Sequence, residues 1–134
     1  MVVGKHLPER AKRVHLAVIG KARAKRARPQ IGVASWYGKE HQGRLTASGR
    51  RFDRRKLTAA HNTLPLNTRA IVTNLENGKS VEVTIDDRGP GIRGRVIDLS
   101  EHAARRLGMK KEGLALVKIE PLPETLAFDW RSGG

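Results

Sequence analysis

Cysteine is absent from the 134 residues, which excludes disulfides, thiol catalysis, thiolate zinc sites and lipid attachment through cysteine. Aromatic residues make up only 4%, too few to build a base-stacking platform, and no recognition helix is evident, so nucleic acid is not expected as a partner. No apolar run approaches the roughly 20 residues of a transmembrane helix. The best short stretch, residues 14–20, is broken by His15 and followed by Lys21, Arg23, Lys25, Arg26 and Arg28 instead of small residues at a cleavage site, so no convincing signal peptide is read there. Glycine-rich phosphate loops are missing too. The Gly89-Pro90-Gly91 turn lacks the helix start that would present amides to a phosphate. No histidine and carboxylate spacing reads as a metal site, and no cofactor is expected.

Acidic residues are the other shortage, 13 against 27 Lys and Arg, and the resulting +14 charge is uneven. Residues 1–30 hold nine Lys and Arg against one Glu, a composition that predicts a disordered tail drawn to polyanions or serving only as a soluble leader. The length fits one compact domain, a monomer by expectation, which we place at residues 31–121, with an irregular tail over 122–134.

Within that domain the pattern is β-rich. Ile31 to Tyr37 reads as a first strand, and Lys39 to Lys56 as a long polar loop. Leu57 to His61, Arg69 to Leu75, Lys79 to Ile85, Arg93 to Leu99 and Gly113 to Glu120 read as further strands. Asn77-Gly78 predicts a type I′ hairpin between two of them. Ser100 caps a short helix that stops at Gly108. Short strands without βαβ alternation predict a mainly β fold, a small β-barrel.

Chemistry is concentrated at Ile85-Asp86-Asp87-Arg88-Gly89-Pro90-Gly91, where an apolar strand ends in two carboxylates and a turn. Strict alternation puts Val81, Val83, Ile85 and Asp87 on one face, and Glu82, Thr84 and Asp86 on the other. Asp87 is therefore expected to be partly desolvated, with a raised pKa suited to a general acid; a satisfied aspartate in a strand-to-turn junction is the plainer alternative. Trp36 and Tyr37 are neighbours in a strand, so one is expected to face a ligand and the other the core. Asp98 is expected to pair with a nearby arginine in a structural role.

The series Gly32-Val-Ala-Ser-Trp-Tyr-Gly38, Thr46-Ala-Ser-Gly49, Phe52-Asp53, Leu57-Thr-Ala-Ala-His61, Thr63-Leu-Pro65, Val72-Thr-Asn74, Asp87-Arg-Gly-Pro90 and Arg95-Val-Ile-Asp-Leu-Ser100 resembles the rare lipoprotein A family over residues 31–120. That resemblance implies a six-stranded double-psi β-barrel with one or two short helices. It also implies a setting in the cell envelope or periplasm, peptidoglycan glycan strands as the substrate, and cell-division or envelope proteins as candidate partners. Related barrels occur in the membrane-bound lytic transglycosylase A group and in expansins. The implied reaction is lytic transglycosylation of strands stripped of stem peptides, cleaving between N-acetylmuramic acid and N-acetylglucosamine to leave a 1,6-anhydro end, with one carboxyl group acting as acid and then base.

By the match at Asp87-Arg-Gly-Pro90, the resemblance assigns that carboxyl to Asp87, with Asp53 and His61 as supporting polar residues of the groove. Trp36, Tyr37, Arg50 and Arg88 are the substrate-binding candidates. Many active relatives have a glutamate at the position occupied here by Arg50. With Arg44, Arg51, Arg54, Arg55 and Lys56, Arg50 makes the long loop cationic, either as a partner for the lactyl carboxylates of stripped glycan or as a solvated charge run. A non-catalytic glycan-binding or expansin-like wall-loosening module on the same barrel is the alternative function.

Overall fold

The structure is a computed structural model that describes residues 28–123; the tails expected at 1–30 and 122–134 lie almost wholly outside them. Six strands, β1 (Gln30–Tyr37), β2 (Thr58–Ala60), β3 (Arg69–Asn74), β4 (Ser80–Asp87), β5 (Arg95–Ser100) and β6 (Ala115–Pro121), are joined by one 3-10 turn, Lys39–His41, and one short helix, α1 (Glu101–Arg106). They close into a barrel in the order β1-β5-β2-β4-β3-β6. Only β3 and β4 are neighbours in both chain and sheet. Two parallel pairs, β1 with β5 and β2 with β4, are interleaved with antiparallel ones, giving the barrel that the sequence leads one to expect.

Alternation in the strands explains the core. In β4, Val81, Val83 and Ile85 point inward; Val72 and Ala70 of β3, Ile97 and Leu99 of β5, and Val117 and Ile119 of β6 meet them. Alanine at 34, 59, 70 and 115 sets branched side chains against small ones, which lets a narrow barrel fill without voids. Helix α1 closes one end through Ala103, Ala104 and Leu107.

The β3–β4 connection differs from the expected two-residue turn. Thr73 pairs with Ser80, and the Asn74 amide donates to the Lys79 carbonyl at 2.8 Å, so Leu75 to Gly78 form a four-residue loop. A type I′ turn needs positive φ at both central residues, yet in this loop only Gly78 has it, at 79°. Asn77 instead spends its side chain on structure, accepting from the Lys79 amide at 2.9 Å and donating to the Leu107 carbonyl at 3.0 Å. That second bond ties the loop to the end of α1.

Ser100 is the junction that seats the long loop on the barrel. It is fully buried; its hydroxyl accepts from the Ala103 amide at 3.2 Å as the helix cap and donates to the Lys56 carbonyl at 2.6 Å. The Thr58 amide also points to it, at 3.4 Å. Replacement by alanine strands these groups in a dry interior. Ser100→Ala is expected to lower stability by about 2 kcal/mol in urea unfolding with an unchanged denaturant slope.

Candidate active site

The carboxylates at the end of β4 do not follow strict alternation. Parallel pairing runs Ala59 with Ile85 and then Ala60 with Asp87, so Asp86 is an extra residue without a partner on β2. This bulge turns Ile85 and Asp86 inward in succession, leaving Asp86 only 7% exposed and Asp87 half-buried. The expectation that Asp87 would be the desolvated member of the pair is therefore corrected. Burial, reinforced by the charge of Asp87, pushes the Asp86 carboxyl from 3.8 up to about 6; its own backbone amide and Arg50 pull more weakly the other way. Among the described residues, Asp86 Oδ1 is buried without a hydrogen-bond partner.

Asp87 is held by backbone. Its Oδ1 accepts from the Ala47 amide at 3.0 Å and from the Arg88 amide at 2.9 Å, while no hydrogen bond engages Oδ2 among the described residues. Ala47 arrives there because the loop folds on itself. Phe52 and Arg44 bond through their backbones at 2.7 Å, Leu45 bridges Arg51, and the Thr46 amide reaches the Arg50 carbonyl at 2.9 Å. The tip of this turn crosses the two carboxylates, with the Ser48 amide on the Asp86 carbonyl at 3.1 Å. Phe52 anchors the loop from below, stacked on Tyr37 with centroids 4.6 Å apart.

His61 sits directly behind Asp87, its amide donating to the Asp87 carbonyl at 3.0 Å. The ring, however, faces elsewhere. Nδ1 accepts from the amides of Thr63 and Leu64, both at 3.1 Å, which leaves Nε2 to donate to Gln30 Oε1 at 2.8 Å. Burial, then the positive charge of Arg88, lowers its pKa, so a neutral imidazole with a fixed tautomer organises the 62–64 turn. Arg88 clasps the same turn through Nη1, donating to the carbonyls of His61 at 2.9 Å and Leu64 at 2.7 Å.

Of the remaining candidates, Tyr37 belongs with the carboxylates and Trp36 does not. The Tyr37 hydroxyl is buried without a partner among the described residues, and burial followed by the charges of Asp86, Asp87 and Asp98 raises its pKa well above the ordinary phenol range. His41 packs edge-on against its ring at 5.1 Å. Trp36 lines a separate cleft of about 650 Å³ with Lys39, Arg54, Arg95, Glu101 and Lys110. Arg50 lies at the lip of the carboxylate site, its Nη2 donating to Asn67 Oδ1 at 3.1 Å. Asp53 is occupied within the loop: Arg55 binds it at 3.1 Å and holds its carboxyl down at about 2, with Gln42 a further contact at 3.5 Å. Asp98 takes its hydrogen bond from the Ser35 hydroxyl and forms no ion pair with arginine among the described residues, contrary to expectation.

Sequence reasoning passed over three contributors: Asp86, Gln30 and the Ala47 amide. Asp86 was set on the wrong face by assuming an unbroken strand. Gln30 was assigned to the tail, although it is the first residue of β1 and holds His61. Two adjacent carboxylates at a strand end were the available signal, since one of them must lose solvent whichever way the strand turns.

The arrangement is a half-exposed carboxylate with one fixed and one free oxygen, backed by a buried second carboxyl, and it sits on a barrel with known relatives. The family model described as "Lytic transglycolase" matches residues 30–119. The "Probable endolytic peptidoglycan transglycosylase RlpA" of Synechocystis is 56% identical over 89 residues, 66% of this chain and 28% of that protein. The "Endolytic peptidoglycan transglycosylase RlpA" of Neisseria meningitidis serogroup A is 50% identical over 93 residues, 69% of this chain and 39% of that protein. The matched region thus spans roughly a quarter to two fifths of the length of these curated relatives. Among solved structures, the Streptomyces papain inhibitor (TM-score 0.58, 21% identity, 71% of this chain and 94% of that one) shares the fold. So does the expansin of Clavibacter michiganensis (TM-score 0.58, 23% identity, 72% of this chain and 52% of that one). With the family model covering nearly all of the barrel and relatives at half identity or better across two thirds of its length, the chain belongs to the lytic transglycolase family, in its RlpA-like double-psi β-barrel form.

Proposed function

We propose that the chain is the catalytic domain of an endolytic peptidoglycan lytic transglycosylase acting in the cell envelope on glycan strands that lack stem peptides. The observation that carries this reading is Asp87, pinned at Oδ1 by two backbone amides and open at Oδ2. In the proposed reaction the protonated Asp87 gives its proton to the glycosidic oxygen as the bond to the muramic acid anomeric carbon breaks, and the bonding pair leaves with that oxygen. The resulting carboxylate then takes the proton of the C6 hydroxyl as that oxygen bonds to the anomeric carbon. No water is consumed, and Asp87 ends protonated as it began. One carboxyl group suffices, provided that it stays in place for both transfers, which is what two rigid amide donors secure.

Asp86 is the wrong group for contact with substrate, because its Oδ1 is buried. Its contribution is to the field behind Asp87. His61 and Arg88 act through the turn they brace together, and Tyr37 supplies the wall beside the carboxylates. We assign Asp53 to loop structure, through Arg55.

Arg50 favours a second reading, a non-catalytic module that binds glycan or loosens the wall. It places a guanidinium at the lip of the site, where the family resemblance leads one to expect a glutamate, and its charge acts on Asp86. Product analysis separates the two readings. Mass spectrometry of stripped glycan strands incubated with the protein is expected to show fragments with 1,6-anhydro ends. Asp87→Asn is expected to cut their release by at least about 100-fold while thermal unfolding is unchanged within about 1 kcal/mol. Binding without any fragments would leave only the module.

Asp86 yields an independent prediction. The unfolded carboxyl loses its proton near 3.8 and the folded one near 6, so between these values the folded state holds more protons. Stability from this residue is therefore greatest below pH 4 and falls as pH rises through 6. Asp86→Asn is expected to stabilise the protein at pH 8, by up to about 3 kcal/mol, and to be nearly neutral at pH 4. Urea midpoints of both proteins at the two pH values check this, and an equal effect at both would refute it.

A further inference from the structure

The cleft beside Trp36, about 650 Å³ in volume, takes no part in the proton transfers described above. We propose that it is a second contact site for the glycan strand, in which Arg95 and Lys39 receive a carboxylate carried by a sugar whose apolar face lies along Trp36. This deepens the proposed function and rests on it for the identity of the polymer.

Shape supports the assignment. The lining reaches from Arg95, at the start of β5, to Glu101, just past its end, and β5 between them runs roughly 17 Å at about 3.3 Å per residue. A lining that follows the strand for that distance is long enough for several units of a linear polymer. Its aromatic wall is rigid: the Trp36 indole N–H donates to the Lys110 carbonyl at 3.1 Å, and the Lys110 ammonium stands 5.9 Å from the ring centroid. Gly38 maintains the space. A Cβ there would come within 2.9 Å of the indole and 2.8 Å of the Glu101 carboxylate.

Charge selects the ligand. Glu101 already collects Lys110 at 3.0 Å, Arg105 at 3.2 Å and Arg54 at 3.4 Å, and Lys110, chief among them, lowers its pKa and keeps it ionised. Those cations are therefore committed. Arg95 and Lys39 have no side-chain hydrogen bond or ion pair among the described residues, and the only other carboxylate on the lining is the exposed Glu40. A trough with an aromatic wall and two uncommitted cations fits an acidic saccharide, since guanidinium binds carboxylate through two parallel hydrogen bonds. Within the long loop, by contrast, Arg51 bonds the Gly43 carbonyl, Arg55 bonds Asp53 and Arg50 bonds Asn67.

The test uses the Asp87→Asn protein, expected to hold strands without cutting them, and measures binding by calorimetry. Stripped strands are compared with the same strands after reduction of their carboxyl groups to alcohols. Adding Lys39→Gln and Arg95→Gln is expected to weaken binding of native strands about tenfold or more. Carboxyl reduction is expected to weaken the parent protein similarly and to cause no further loss in the double variant, the mark of a shared interaction. Unchanged binding in the double variant, losses that simply add, or no binding by the parent would overturn the proposal. Fragment release by the protein with Asp87 intact is scored separately. Fragments with unchanged binding in the double variant sink the cleft alone, whereas carboxylate-dependent binding without fragments sinks only the catalytic reading.

Discussion

The bulge in the β2–β4 pair is the constraint on which the rest of the site depends. A parallel ladder with no extra residue would put one of two adjacent carboxylates fully into the core and the other fully into water. By leaving Asp86 unpaired between Ile85 and Asp87, the ladder turns both toward the same end of the barrel, one beneath the other. Asp87 then reaches the surface at an angle that the Ala47 and Arg88 amides can meet, and His61, following Ala60, lands with its amide on the Asp87 carbonyl. Burying Asp86 opposes folding at neutral pH, a local cost that the barrel's hydrophobic core offsets.

Around this point the structure distinguishes a carboxylate left open at the surface from side chains that fix other groups. His61 is the clearest case: every nitrogen of its ring is engaged, and the bonds run to Gln30 and to two amides of its own turn. Arg88 likewise directs its Nη1 inward to carbonyls, although the residue is exposed. Both look like catalytic furniture when met as letters beside Asp87. In space they form a brace across the 61–64 segment, and that brace keeps the Gly89-Pro90 turn and the carboxylates in register.

Much of this was legible in the sequence wherever a local rule governs the outcome. Val81, Val83 and Ile85 alternate because half-buried strands must, and Ser100 caps α1 because a hydroxyl there satisfies the amide of Ala103. The opposite destinations of Trp36 and Tyr37 followed from the same periodicity. What escaped was set by partners far along the chain. The bulge is defined by residues on β2, some 26 positions from Asp86. The conformation at Asn77-Gly78 was decided by a carbonyl at Leu107, and the fixed indole of Trp36 by one at Lys110. Asp98 met a hydroxyl from its parallel neighbour Ser35, not the arginine that composition made probable. Local patterns therefore pointed to the end of β4, and long-range pairing determined which carboxylate oxygen is left free there.

Closure of the barrel has a consequence for recognition. Each of the six strands has hydrogen-bonded neighbours on both sides, with β6 joining β1 to complete the ring. Among the described residues no strand is left with one edge wholly free, so the barrel has no full-length strand edge for an extended peptide to pair with. Contacts with any polymer must be made by side chains and loop backbone standing off the barrel wall. Recognition of a polymer on such a surface rests on shallow relief and placed charge.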